Sequence, residues 1–353
     1  MDAARPIASL HRSCFPSAAS GPPMRRRVTI DDISRYTGLS RGTVSRAMND
    51  RPDVSERTRA RVLEACRALR YVPSRAARSL TTGRSDAVVA LVGDLRAPFA
   101  VACLRGVLRQ ADRLRYAVYV TEQGDDPAGA QERIIELTGD RIDGLLVAGQ
   151  VEGRLCAQLC EAAGQRPLVV CCRAEGVRCD TYLPDHPEAG RLVARCLLSH
   201  GRRHLLYLHR LGDAEAAERL AGFRRVCADA GITPTILAAA DDTATVEQHV
   251  AGLREADGIA ASDDRLAIAA LWACARLGRT PGVEVLLLGQ GNTPACEVLP
   301  WPLTSVDFGG EEIGQRAMET LVARINGRRV GAASVTHVAP RLMERATTGA
   351  ARP

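Results

Sequence analysis

Val28–Asn49, VTIDDISRYTGLSRGTVSRAMN, breaks into two short helices around a tight turn. Thr29 is a good helix cap, and Asp32 three positions on completes a capping-box-like pair that also suits the positive end of the helix dipole. Ile33 and Tyr36 fall on one face, and Gly38 is placed to close the helix in the left-handed conformation. Ser40 caps a second helix, Arg41 to Met48, with Val44 and Met48 turned inward at i, i+4. Arg41, Gly42, Thr43, Ser45 and Arg46 then face outward. An apolar seam backed by Arg and hydroxyl groups suits a helix laid in a DNA major groove. There Arg can bond two acceptors on guanine, and Ser or Thr can bond phosphate. The same residues also allow an ordinary helical hairpin with a solvated basic face.

The charge distribution favours the first reading. The net charge of +6 over 353 residues hides an asymmetry. Residues 25–84 carry fifteen Arg against six acids, a net +9, whereas residues 85–353 carry thirty Arg against thirty-four acids, a net −4. Basic charge confined to one end is what a nucleic-acid-binding segment needs, and a uniformly basic enzyme does not show it. Every basic residue is Arg; there is no Lys.

Outward from this stretch, residues 1–27 mix Ala, Ser, Pro and Arg without periodicity and read as a disordered tail, with Met24 a plausible true initiator. Ser55 caps a third helix to about Leu69, whose Val62, Cys66 and Leu69 close a small three-helix core over residues 28–73. Tyr71-Val72-Pro73 stops it. Ser74–Leu80 follows as a linker, residues 74–84, too short to hold a helix by itself. Leu80 reads either as an apolar wedge for the minor groove or as one exposed Leu in a plain linker.

From Ala87 the rhythm changes to short apolar runs alternating with helical patterns. The strand candidates are 87–92, 117–120, 144–148, 168–172, 205–208, 258–260 and 283–288. Helices fall near 99–114, 131–139, 153–163, 188–200, 216–230, 245–256, 265–277 and 311–325. Wholly apolar strands alternating with helices predict buried parallel sheets covered on both faces, in one sheet or two. The fold class is therefore α/β behind an N-terminal three-helix domain, with ligands expected at the strand C-terminal ends. The twelve Cys show no CxxC pair or zinc spacing and read as buried free thiols; neither a metal nor a cofactor is implied. No apolar run reaches membrane-span length and no secretory h-region opens the chain, so a cytoplasmic protein is expected.

In combination, VTIDDISRYTGLSRGTVSRAMN, VSERTRARVLEACRALRYVPSRAARSL and the α/β module resemble the lactose-repressor (LacI/GalR) family of bacterial transcription regulators over nearly all of 28–346. The resemblance implies a helix-turn-helix domain that binds double-stranded operator DNA, a hinge helix entering the minor groove, and a two-lobed, periplasmic-binding-protein-like effector module. It implies a homodimer on a palindromic operator, with lobe 1 at about 85–181 and 308–334 and lobe 2 at about 182–307 and 335–348. Carried over residue by residue, Arg41, Gly42 and Arg46 become the base-reading positions. Thr29, Ser40, Thr43, Ser45 and Asn49 become supporting contacts, and Leu80 beside Ala77 the minor-groove wedge. For the cleft it implies Phe99, Cys172, Arg219, Asp263 and Gly291, with Asp264 capping the next helix. Two carboxylates usual in the family are missing, with Cys172 at one position and Gly289-Gln290-Gly291-Asn292 at the other. Their loss weakens a typical monosaccharide reading within the sugar-like class and favours a smaller, less polar or anionic metabolite, with Arg219 freed of acidic competition, or small-molecule binding has been lost. Trp301 reads as packing or as a cleft residue. The tail ATTGAARP has no heptad repeat, which favours a dimer over a tail-linked tetramer. An enzyme is the competing class, but no GxGxxG follows the first strand, no GxSxG nucleophile elbow is present, and a P-loop is impossible without Lys.

Overall fold

The structure is a computed structural model that describes residues 28–71, 84–123, 125–138, 142–151, 153–173, 176–239, 245, 246, 248, 250 and 255–349. The chain divides into two compact units, residues 1–82 and 83–353. The tail 1–27, the linker with Ala77 and Leu80, and most of the helix expected at 245–256 lie outside the described residues.

In the first unit the local signals set the helices. α1 (Ile30–Thr37) starts where Asp32 Oδ2 accepts the Thr29 backbone N–H and hydroxyl, both at 2.8 Å. It ends at Gly38 with φ 66°, a conformation that Gly adopts without strain. α2 (Arg41–Met48) is capped by Ser40, whose Oγ accepts the Thr43 N–H at 3.1 Å, and α3 (Glu56–Ala68) by Ser55 in the same way. Ile33, Val44, Ala47, Val54, Val62 and Ala65 form the core, with Met48, Cys66 and Leu69 packed against it. One expectation fails here. Tyr36 is 62 % exposed, and Thr37 takes the inward place, one helical step further round.

The second unit holds two six-stranded sheets. In the first, β1 (Ala87–Val92), β2 (Ala117–Glu122), β3 (Gly144–Ala148), β4 (Leu168–Cys171), β5 (Asp180–Pro184) and β11 (Val335–Val338) run parallel in the order β11-β5-β4-β3-β1-β2. In the second, β6 (Leu205–Arg210), β7 (Thr235–Ala239), β8 (Gly258–Ala261), β9 (Leu286–Gln290) and β10 (Thr304–Asp307) are parallel. The antiparallel β12 (Arg341–Met343) completes the order β12-β10-β9-β8-β6-β7. Helices α4 (Pro98–Leu114) and α11 (Gly310–Ile325) share a core on one face of the first sheet, and α5 (Pro127–Thr138) and α6 (Gly153–Ala163) cover the other. α7 (His186–Ser199) and α8 (Ala214–Asp229) cover one face of the second sheet, and α9 (Asp264–Arg276) and the short α10 (Ala295–Val298) the other. Apolar sheets buried on both faces are what the strand composition demands.

The chain crosses between lobes after β5, β10 and β11. The expected boundaries at 182 and 335 are therefore corrected: Thr181–Pro184 pairs with Val335–Val338, and both strands belong to the first sheet. Val283 also falls outside β9, in a turn after Gly282 at φ 83°, and is 68 % exposed. All eleven Cys among the described residues are free, and nine are buried.

Asp180 locks the late strand in place. Its carboxylate takes Arg324 Nε at 2.7 Å, Arg329 Nη2 at 3.0 Å, and the Ser334 N–H and hydroxyl, each at 3.1 Å. Burial by itself would raise its pKa, but these donors hold it below the usual carboxylate range. Asp180→Asn takes the buried counter-ion away from the half-buried Arg324 and the more exposed Arg329. We expect a loss of about 3–5 kcal/mol at neutral pH, read from the thermal-unfolding midpoint; a loss under about 1 kcal/mol would remove Asp180 from this role.

Candidate nucleic-acid interface and ligand cleft

On α2 the inward positions Val44 and Ala47 are buried, while Arg41, Gly42, Arg46 and Asn49 are exposed and Thr43 and Ser45 half-exposed. One side of an eight-residue helix thus presents two guanidiniums flanked by hydroxyls, with a bare backbone at Gly42. Several supporting groups already serve the fold. Thr29 Oγ1 donates to Asp32, the hydroxyls of Ser40 and Thr43 bond each other at 2.9 Å, and Asn49 Nδ2 reaches Ser45 Oγ at 3.5 Å. Arg41 Nε lies 2.9 Å from Asp31 Oδ1, and Arg46 Nε lies 3.6 Å from Asp53 Oδ2.

The second cluster forms at the C-terminal ends of the strands, between the two lobes. Arg219 on α8 is 4 % exposed. Its Nη1 meets His186 Nδ1 at 3.1 Å, its Nη2 meets Asp213 Oδ2 at 3.3 Å, and its guanidinium lies 5.2 Å from the Phe308 ring centroid. Phe308 takes His186 and Phe99 edge-on at 5.4 and 6.5 Å. His186 Nε2 is 3.5 Å from Glu215 Oε2. Burial would raise the Glu215 pKa, but hydrogen bonds from His186 and Gln150 and the nearby Arg219 charge bring it below the ordinary value. Gln150 follows β3, so this bond ties the lobes together, as does the Arg173–Glu218 ion pair.

Beside them, Gln290 at the end of β9 donates to Tyr207 Oη at 3.1 Å and to the Ala261 carbonyl at 3.0 Å. Its Oε1, together with Arg219 Nε, is buried with no hydrogen-bond partner among the described residues. Burial pushes the Tyr207 hydroxyl up to about 12, with Arg219 opposing the shift. Stranded buried polar atoms are costly, and Tyr207 lies close to both of the residues that carry them.

The expected cleft set is brought together only in part. Arg219 and Phe99 join the cluster. Asp263, not Asp264, caps α9, accepting the Leu266 N–H at 3.0 Å with one oxygen and Arg210 Nε at 2.8 Å with the other. Asp264 is buried and bonds Ser305 Oγ and the Thr293 N–H, and Gly291, at φ 128°, passes beside it. Cys172 does not line the cleft. It packs in the core with Leu155, Cys156 and Leu159, because side chains alternate along the strand and its sulfur turns toward Cys156. Trp301 packs against the core of the second lobe. Arg219 has not lost acidic competition, since Asp213 and Glu215 stand beside it. His186, Asp213, Glu215 and Phe308 were absent from the sequence reading, and Gln290 stood there only within the run that replaces a missing carboxylate. The local signals that point toward them are two helix caps, Asp185 just before His186 and Asp213 at the start of α8.

Residues 29–74 match the model of the bacterial regulatory proteins, lacI family, and residues 194–348 that of the periplasmic binding protein-like domain. The chain is 30 % identical over 319 residues to the HTH-type transcriptional regulator CelR of Thermobifida fusca, spanning 86 % of this chain and 93 % of that one. It is 26 % identical over 314 residues to the HTH-type transcriptional regulator GntR of Escherichia coli strain K12, spanning 87 % and 94 %. Among solved structures, the lac repressor dimer bound to operator and the anti-inducer ONPF shares the fold, with a TM-score of 0.76 at 22 % identity over 92 % of this chain and 99 % of that one. The complex of the transcriptional regulator CelR with cellobiose aligns with a TM-score of 0.63 at 26 % identity, over 91 % and 100 %.

Glu215 gives the cleft a pH dependence of definite sign. A carboxylate whose folded pKa is depressed contributes stability above its unfolded value, 4.5, and loses it as pH falls through the lower folded value. Thermal midpoints of Glu215→Gln should therefore lie below those of the parent at pH 7 and approach them in this acid range. A gap of constant size across the range would refute the assignment.

Proposed function

Because this chain belongs to the lacI family of bacterial regulatory proteins, we propose that it represses transcription as a homodimer on a palindromic operator and answers to a small molecule held between its lobes. The observation that carries the reading is α2, a short helix with one buried apolar seam and an exposed face bearing Arg41 and Arg46. Such a face supplies forked donors for guanine O6 and N7 in the major groove, and the neighbouring hydroxyls hold phosphates. Gly42 adds no hydrogen bond and leaves specificity to the two Arg. Leu80, with Ala77 beside it, is the proposed minor-groove wedge between half-sites. A regulator of this kind acts on chromosomal DNA in the cytoplasm. Among the described residues no helix is long and apolar enough to cross a membrane. The family consists of regulators, and the chain is no enzyme.

The effector follows from the cleft. With Asp213 and Glu215 beside Arg219, the guanidinium charge is largely answered inside the protein, which disfavours an anionic ligand. Arg219 Nε as a donor and Gln290 Oε1 as an acceptor suit a neutral molecule with adjacent hydroxyls, so the sugar-like reading is the stronger. The complex of the related CelR with cellobiose agrees with this.

Selection of bound sequences from a random DNA pool tests the proposal, the expected product being a palindrome; recovery of unrelated sequences, with and without sugars added, would overturn it. Arg46→Ala is expected to cost about 1–3 kcal/mol of operator binding while random-DNA binding changes far less. Arg219→Ala should abolish the effect of the active sugar on operator binding and preserve sugar-free binding; a retained response would move the effector site elsewhere.

A further inference from the structure

Both Arg residues assigned to base reading are met by a carboxylate from outside their own helix, and both through the same atom. Asp31 comes from the first turn of α1 and Asp53 from the loop between α2 and α3, and each faces an Arg Nε. Neither side chain caps a helix. Asp32, not Asp31, builds the capping box of α1, and Asp53 makes no other hydrogen bond or ion pair among the described residues. All four side chains are substantially exposed, so little stability depends on these pairs.

The choice of atom has a consequence. A guanidinium whose Nε faces a carboxylate at ion-pair distance still presents Nη1 and Nη2 as a fork, the edge that fits guanine O6 and N7. The carboxylate then biases where the guanidinium sits by charge, while leaving its working edge clear. A phosphate asks for the same two donors but carries a full negative charge, and a carboxylate beside the Arg repels it; guanine presents only partial charges. The pairs thus tax binding to the DNA backbone more heavily than binding to a guanine edge.

We propose that Asp31 and Asp53 are specificity-determining positioning residues: they orient Arg41 and Arg46 for guanine and suppress their attachment to phosphate, which widens the gap between operator and non-specific DNA. The inference rests on α2 being the reading helix. It places the origin of discrimination partly in two residues that touch no base.

The test uses the full-length chain with Asp31→Asn, Asp53→Asn and the double variant, each nearly isosteric, with folding checked by thermal unfolding. Affinity is measured for the selected operator and for a scrambled duplex across a salt series. The double variant is expected to bind scrambled DNA about tenfold more tightly, with a salt slope steeper by about one to two ion equivalents. Operator affinity should rise by less, so the ratio falls, and Asp53→Glu should retain most of it. If operator and scrambled affinities shift by the same factor, or the slope stays unchanged, the carboxylates are ordinary surface charges and the inference fails. Failure of the parent chain to discriminate the two duplexes would instead strike the reading of α2, so the two failures are told apart.

Discussion

The ligand cleft depends on a backbone contact between two helices. At Gly190 on α7, a Cβ would lie 1.8 Å from the Arg219 carbonyl oxygen, and at Gly222 on α8 it would lie 1.9 Å from the Pro187 carbonyl. Only two facing glycines allow α7 and α8 to cross this closely. The crossing seats Arg219 against His186 and under Phe308, where a longer interaxial distance would leave the guanidinium reaching across water. The first lobe uses the same device, with Gly106 and Gly314 at the crossing of α4 and α11, where each missing Cβ would fall 2.0 Å from a carbonyl of the other helix. Each lobe thus has one helix pair in backbone contact, bordering the strand ends that shape the cleft.

The three N-terminal helices were legible because their signals are local: Thr29 with Asp32, Gly38, Ser40 and Ser55 act within one turn of where they stand. The strands β1, β3, β4, β6 and β8 were legible because they are continuous apolar runs. β5, β10 and β11 were missed for the opposite reason. Asp180, Thr181, Thr304, Ser305 and His337 make them look like loops, and Asp180, Thr304 and Ser305 find partners only far along the chain, in Arg324, Thr347 and Asp264. The missed boundary at 335 belongs to this class, since the strand exists through its pairing with β5 and the Asp180 network. In the cleft, Arg219 could be found from its helix, but His186, Glu215 and Phe308 become neighbours only through the fold. Cys172 was misplaced because a one-residue step along a strand reverses the facing side.

Charge is used differently in the two units. Around α2 the Arg–Asp pairs are exposed and weak, and their value lies in what they permit once DNA arrives. In the second unit, Asp180 with Arg324, Asp263 with Arg210 and Asp213 with Arg219 are half-buried or buried, and each joins separate segments of the chain. There the Arg forks act as multi-point fasteners, which a Lys could not replace, since Arg324 alone bonds Asp180 and the carbonyls of Arg329, Gly331 and Ala332.

The buried thiols carry a kinetic consequence. In the folded chain burial pushes Cys179, Cys196, Cys227 and Cys274 up to about 11 and Cys296 up to about 12, so almost no thiolate exists at neutral pH. The fold acts as a protecting group for its own cysteines. Once the chain opens, those thiols regain an ordinary acidity and meet oxidants and one another without the geometry that kept them apart. Opening in an oxidising medium therefore becomes a one-way step into cross-linked species. The lifetime of the protein there is set by how fast it opens, and only a reducing medium restores the equilibrium between open and closed chains.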